Sequence, residues 1–233
     1  MGHRAGMAAG RAKDGARPHF RMERDGMRNG LAPVCGLDEA GRGPLAGPVV
    51  AACVVLDPDD VPDGIADSKK LTGERREELC FRLLLRARVG VGIADVADIE
   101  RLNVFHATFL AMRRAFDALP GERPRLALVD GNHAPDLPCE CRTVVGGDGE
   151  VLSIAAASIV AKVVRDRIMR RLDALHPGYG FASHKGYAVP AHREALRRLG
   201  PCPAHRRNFA PVRALLEDGD GAAQADLFSG DGD

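Results

Sequence analysis

The chain has 233 residues, 45% hydrophobic and 28% charged, and no apolar run near the length of a membrane-spanning helix, which describes a soluble globular protein of one domain or two. Two Tyr, eight Phe and no Trp exclude a site built from many stacked aromatics and leave the core to Ala, Val, Leu and Ile. The net charge of +1 conceals a basic head, with seven Arg or Lys against three acids in residues 1–30, and an acidic end, with six acids and no base in residues 216–233; the mildly basic body between them suits a polyanionic partner.

Residues 1–30 are rich in Gly, Arg, Ala and Met without periodicity and read as a disordered basic extension. They hold no apolar signal-peptide region, so the six cysteines, at 35, 53, 80, 139, 141 and 202, are expected as reduced thiols in a cytoplasm. Cys139-Glu140-Cys141 lacks the second pair that a zinc site needs. Order is expected from Leu31, where apolar runs at 32–37 and 49–56 predict a hairpin carrying Asp38 and Glu39 at its bend.

That bend, Gly36 to Pro48, is the most informative stretch of the chain. Adjacent ionised carboxylates repel, so they share a proton or hold a cation, and oxygen-rich acid clusters suit magnesium or manganese. The Gly41-Arg42-Gly43 that follows can press bare backbone onto a substrate. Carboxylates for metal beside such backbone point to phosphodiester chemistry. In a regular strand Asp38 and Glu39 face opposite sides, so the break at Gly41 is expected to let Glu39 swing out of the pleat or reach a metal through water.

Asp67 to Thr72 closes a loop, and Thr72 with Glu74, Glu77 and Glu78 predicts the start of a helix running to about Arg86. Arg88 to Val96 alternates as a strand, and Asn103 to Leu119 carries a helical apolar side ended by Pro120-Gly121. Leu126 to Val129 then delivers Asp130, and Thr143 to Val145 delivers Gly146-Gly147-Asp148. Acids from separate strand ends can converge in the crevice where α/β sheets bind ligands, although Asp130-Gly131-Asn132 also fits a plain turn. Ser153 to Leu175 is the longest helix signal, with Ser158, Lys162 and Asp166 on one ridge. That ridge is either a surface ion pair or an outer carboxylate aimed at the acids. In His184-Lys185-Gly186-Tyr187 a lysine offers charge to a phosphate and a tyrosine a ring face. His192 and His205 read as phosphate contacts or solvated side chains.

Taken together, Gly36 to Pro48, Asp67 to Leu71, Val129 to Asn132, Ala155 to Asp166 and His184 to Tyr187 closely resemble the bacterial ribonuclease HII family over about residues 31–216. The resemblance implies an α/β protein of ribonuclease H-like fold, with a mixed five-stranded sheet flanked by helices and a C-terminal helical extension. Residues 1–30 and 217–233 would be disordered tails. It implies an endonuclease that cuts the RNA strand of RNA/DNA hybrids and cuts 5′ of single ribonucleotides in duplex DNA; a monomer in the cytoplasm, not bound to membranes, is the default expectation.

By the same resemblance Asp38, Glu39, Asp130 and Asp148 are the catalytic acids and hold two Mg2+ or Mn2+ ions, with Asp166 as a further, outer acid. Gly41, Arg42 and Gly43 match the segment that reads the 2′-hydroxyl, and Tyr187 the tyrosine that stacks at the RNA to DNA junction. Ser68, Lys69 and Lys185 match phosphate contacts. The chain departs from the family at Gly146, where a lysine is common; Arg142 or Arg165 is expected to compensate. Gln224-Ala225-Asp226-Leu227-Phe228 resembles the short motif that binds the bacterial sliding clamp, with Gln224, Leu227 and Phe228 as its contacts. Three rivals remain at this point: a DNA-cutting nuclease of the same fold such as a junction resolvase, a non-catalytic hybrid-binding protein, and a phosphate-cradling nucleotide binder. The last lacks the Gly-Lys-Ser/Thr ending of a P-loop.

Overall fold

A computed structural model describes residues 17–217. The apolar, β-branched runs pair as expected: β1 (Val34–Ala40) lies antiparallel to β2 (Val49–Val55), from Gly36 opposite Val54 to Ala40 opposite Val50. This register corrects one expectation. Asp38 and Glu39 stand inside the ladder, opposite Ala52 and Ala51, and the bend proper is the loop 41–48. β3 (Arg88–Ala94) adds antiparallel to β2, while β4 (Leu126–Asp130) and β5 (Glu140–Val144) add parallel beyond β1. The sheet is mixed and five-stranded, in the order β3-β2-β1-β4-β5.

The expected disorder of residues 1–30 fails from residue 17 onward. Helix α1 (Arg21–Arg28) packs Met22 and Met27, with Leu31, on Val34, Leu126, Leu128, Val151 and Ile154. Its Glu23 is 1% exposed and accepts the Ser153 N–H at 2.8 Å. A helix of two turns is held by such tertiary contacts more than by its own pattern, so periodicity gave no sign of it. Residues 1–16 lie outside the described part, as do residues 218–233 with Gln224, Leu227 and Phe228.

Helix α2 (Gly73–Arg86) starts as its cap demands, the Thr72 hydroxyl accepting the Arg75 N–H at 3.2 Å. Helix α3 (Val96–Asp117) starts earlier than its apolar stripe, because Asp95 caps it through the Asp98 N–H at 2.8 Å. It kinks at Asn103, whose φ is 64° and whose carbonyl oxygen Oδ1 recaps the chain by accepting from Phe105 N–H at 2.9 Å. Helix α4 (Leu152–Leu175) is buried on every side from Ser153 to Ala161. A Cβ on Gly36 would lie 2.1 Å from the Ser153 carbonyl carbon, so glycine is what lets α4 press onto β1.

Side chains alternate across the sheet. Val49, Ala51, Cys53 and Val55 share one core with α3, whereas Ala52 and Val54 share another with α2 and α4. The C-terminal part, α5 (Phe181–His184), α6 (Pro190–Leu199) and the helical residues 210–217, closes a third core over Leu45, Ala46 and Met169. It thereby leans on the loop that follows β1. No helix among the described residues is long and apolar enough to cross a membrane.

Candidate active site

A cleft of about 280 Å³ opens where β1 and β4 end, lined by Asp38, Glu39, Asp130, the backbone of 40–43, Ser68, Lys69, Ser158, Lys162, Arg165 and Tyr187. Register explains the first acids. Leu37 opposite Val129 is the last pair of the β1–β4 ladder, so Asp38, just past it, stands beside Asp130, the last residue of β4. Asp38 follows the side of β1 that meets α4, and Glu39 follows the side that meets α3, where Phe105, Phe109 and Met112 form the floor of an adjoining crevice. The pleat therefore does place them on opposite faces. Both reach one cleft because the pairing with β4 stops there, not because the chain breaks at Gly41.

These acids are held against their own charge. Burial, then the nearby charges of Glu39 and Asp130, pushes the Asp38 carboxyl well above the ordinary range. Burial also raises Glu39, although Arg42 Nη1, 3.3 Å from its Oε1, opposes the shift. Burial and the charge of Asp148 raise Asp130, whose Oδ1 accepts the Gly147 N–H at 2.7 Å. Asp148, on the short turn Gly147–Gly149, pairs at 3.0 Å with Lys69 Nζ. That lysine is raised: burial pulls it down, and the bond to Asp148 more than offsets the burial.

The opposite wall is the loop 41–48, and its carbonyls turn into the protein. Arg165, 1% exposed, donates to the carbonyls of Pro48 at 3.0 Å, Lys185 at 3.1 Å and Ala46 at 3.2 Å. Arg206, fully buried, donates to those of Gly47 at 2.9 Å, Arg42 at 2.8 Å and Gly41 at 2.5 Å. A Cβ on Gly41 would lie 2.0 Å from Arg165 Nε, and its φ of 101° already favours glycine. Arg165 is thus committed to backbone and cannot stand in for the cation missing at Gly146. Arg142 pairs instead with Glu140 at 2.7 Å. Lys69 is the cation that reaches Asp148, which no sequence spacing announced.

Among the other expected site residues, Ser68 is buried with its Oγ 2.8 Å from that of Ser158. Tyr187 is 46% exposed and borders Gly43, and the Lys185 ammonium turns to the Ala182 carbonyl. Asp166 does not line the cleft; its carboxylate accepts from Lys162 at 2.8 Å, and it is Lys162 that reaches the cleft. The two histidines read as solvated or phosphate-binding are neither. His192 and His205 are buried, with their Nε2 atoms 3.1 Å apart. The Cys202 N–H donates to His205 Nδ1 at 3.0 Å, so His205 donates through Nε2 to His192, and His192 Nδ1 donates to the Tyr187 carbonyl at 2.9 Å. Burial first, then its neighbour His192, lowers His205 to about 4.

Comparison with known proteins places the chain in a family. The family model described as Ribonuclease HII matches residues 35–212. The chain is 56% identical over 204 residues to the ribonuclease HII of Parvibaculum lavamentivorans, covering 87% of this chain and 75% of that protein. It is 57% identical over 195 residues to that of Bradyrhizobium diazoefficiens, covering 84% and 74%. Among solved structures, ribonuclease H2 of Pyrococcus horikoshii matches with a TM-score of 0.66 at 25% identity, over 79% of this chain and 97% of that one. The ribonuclease HII of the Archaeoglobus fulgidus PCNA complex matches with a TM-score of 0.65 at 28% identity, over 78% and 96%.

Proposed function

The chain belongs to the ribonuclease HII family of endoribonucleases, which act on RNA/DNA hybrids, and from that premise we propose that it also cuts duplex DNA 5′ of a single embedded ribonucleotide. The products would carry 3′-hydroxyl and 5′-phosphate ends. The observation that supports a metal-assisted hydrolysis is the cluster of Asp38, Glu39 and Asp130, whose carboxyls are raised by burial and by one another. Such a set of hard oxygen donors is relieved by divalent cations. Among the described residues no three acids, histidines or cysteines stand close enough to cage an ion unaided. Magnesium needs no such cage, because it keeps several waters and takes one or two carboxylates with a substrate phosphate.

On this reading Asp38, Glu39, Asp130 and Asp148 would hold two Mg2+ or Mn2+ ions, and the chemistry such ions supply when bound is activation of a water and stabilisation of charge on the leaving 3′ oxygen. Ser68, Lys69 and Lys185 anchor phosphates and set register without reading sequence. The Gly41-Arg42-Gly43 backbone contacts the 2′-hydroxyl, and the exposed ring of Tyr187 stacks on the sugar beyond it. Asp166 acts through Lys162, which it holds at the cleft.

The test is a labelled DNA duplex with one ribonucleotide, beside an all-DNA control. Cleavage 5′ of the ribonucleotide that needs Mg2+ or Mn2+, stops with chelator and is lost in Asp38→Asn is the expected result. Cutting of the all-DNA duplex would favour a DNA nuclease of the same fold, and binding without turnover a hybrid-binding protein. For partners, the ribonuclease HII of Archaeoglobus fulgidus forms a complex with PCNA. With the motif at Gln224, Leu227 and Phe228, this supports binding of the replication clamp through the acidic end of the chain. Clamp affinity unchanged by Leu227→Ala with Phe228→Ala would remove that part of the proposal.

A further inference from the structure

Arg206 is a buried cation with no carboxylate beside it among the described residues. Removing a guanidinium from water is costly unless its donors are satisfied. All its hydrogen bonds go to one loop, to the carbonyls of Gly41, Arg42 and Gly47. The backbone puts it there. Residues 204–206 run against 45–47, with Gly47 N–H donating to the Ala204 carbonyl at 2.8 Å and Arg206 N–H to the Leu45 carbonyl at 2.9 Å. Below, the guanidinium rests on the Phe209 ring, 5.1 Å from its centroid.

Peptide planarity gives this clamp a consequence on the other side. In a trans peptide the carbonyl of one residue and the N–H of the next point in opposite directions. With the Gly41 and Arg42 carbonyls drawn to Arg206, the N–H groups of Arg42 and Gly43 are turned away from it. Residues 41–43 line the cleft, and neither N–H has a backbone acceptor among the described residues. Pro44 follows and offers no donor. The loop therefore presents two adjacent donors whose direction is set from behind.

We propose that Arg206 is a positioning residue for ribose discrimination: its fork fixes the Gly41 and Arg42 carbonyls so that the Arg42 and Gly43 N–H groups stand ready for a 2′-hydroxyl. This rests on the reading of the Gly41–Gly43 backbone as the 2′-hydroxyl contact. A lysine keeps the charge but has one nitrogen where the fork uses three, so it cannot hold carbonyls at Gly41, Arg42 and Gly47 together.

The experiment measures binding of a duplex with one ribonucleotide and of the same all-DNA duplex, by fluorescence anisotropy, in full-length protein carrying Asp38→Asn to prevent cutting. Arg206→Lys is expected to lower the ratio of the two affinities about tenfold, through the ribonucleotide duplex alone, which is about 1.4 kcal/mol. Hydrogen exchange should quicken in 41–47 while 49–55 stays protected. Arg197→Lys, an exposed residue of α6, serves as the control. An unchanged ratio in Arg206→Lys, or in Arg206→Gln should the lysine variant not fold, overturns the proposal. Gly43→Pro separates the two ideas, since it deletes one donor and leaves the clamp. If it abolishes discrimination while Arg206→Lys preserves it, the positioning role is wrong and the 2′-hydroxyl reading stands; if it preserves discrimination, that reading itself fails.

Discussion

The two walls of the cleft are built on opposite terms. On one, two buried cations are hydrogen-bonded to backbone carbonyls, so the loop 41–48 is held in place without any ligand. On the other, Asp38, Glu39 and Asp130 are crowded and desolvated, and each is raised by the others or by burial. The first wall is preset, so nothing there needs ordering when substrate arrives. The second carries unrelieved charge, which is what gives a divalent ion its differential affinity for the site. A site that reads a sugar with one wall and does chemistry with the other needs both properties.

The largest test of this contrast is Asp38→Asn. It retains an acceptor for the Glu39 N–H, which now donates to Asp38 Oδ1 at 2.7 Å, but removes the most strongly perturbed charge. Cleavage is expected to fall by at least about 10³-fold, the upper end of the usual cost of removing one electrostatic stabiliser, so that none is seen in the duplex assay. The melting temperature of the ion-free protein should rise, because repulsion is relieved. A variant both inactive and less stable would show that the carboxylate wall is not frustrated.

Acid distinguishes the walls next, because their pH dependences have opposite signs. His205, lowered to about 4, is neutral when folded, so the unfolded chain binds more protons between pH 4 and about 6.5. Its contribution is present above pH 6.5 and lost on falling towards pH 4, on the order of 3 kcal/mol. The raised carboxyls behave in reverse: their contribution is present near pH 4 and lost as pH rises through their folded values. Denaturant midpoints across pH should therefore show an acid limb that His205→Asn flattens and a neutral-pH decline that Asp38→Asn flattens. A single limb removed by both would erase the distinction.

A divalent ion should act on one wall only. At a hundredfold excess over its Kd, Mn2+ is expected to stabilise the protein by about 2.7 kcal/mol. Asp130→Asn should remove most of that shift, while Arg206→Lys should leave it intact, as read by melting in titrated Mn2+. Loss of the shift in Arg206→Lys would mean that the walls are not independent.

The sequence showed the two walls unequally. Asp38, Glu39, Asp130 and Asp148 were legible because acids at strand ends leave a local pattern, as did the Thr72 cap of α2. Asp38 and Glu39 were misplaced at the bend because the ladder with Ala51 and Ala52 is non-local. The preset wall was nearly invisible. Arginines that bond carbonyls 117 to 165 residues away have no spacing signature, so Arg165 read as a spare phosphate cation and Arg206 was not singled out at all. His192 and His205 looked solvated for the same reason, being buried by contacts across the C-terminal part. Glu23 and α1 were missed because their partner is Ser153.

The smallest effect belongs to Asp166, which tests where the acid wall ends. Were it a metal-holding carboxylate, Asp166→Asn would change the Mn2+ dependence of cleavage as Asp130→Asn does. The structure gives it another occupation: it pairs with Lys162 at 2.8 Å along α4, outside the cleft lining, with both side chains partly exposed. An i,i+4 pair of this kind is worth less than about 1 kcal/mol. Losing it frees the Lys162 ammonium to move without removing it from the cleft. Asp166→Asn is therefore expected to raise KM by no more than about fivefold, with kcat and the Mn2+ midpoint unchanged. A shifted Mn2+ midpoint would extend the frustrated wall onto α4 and make Asp166 part of the carboxylate set.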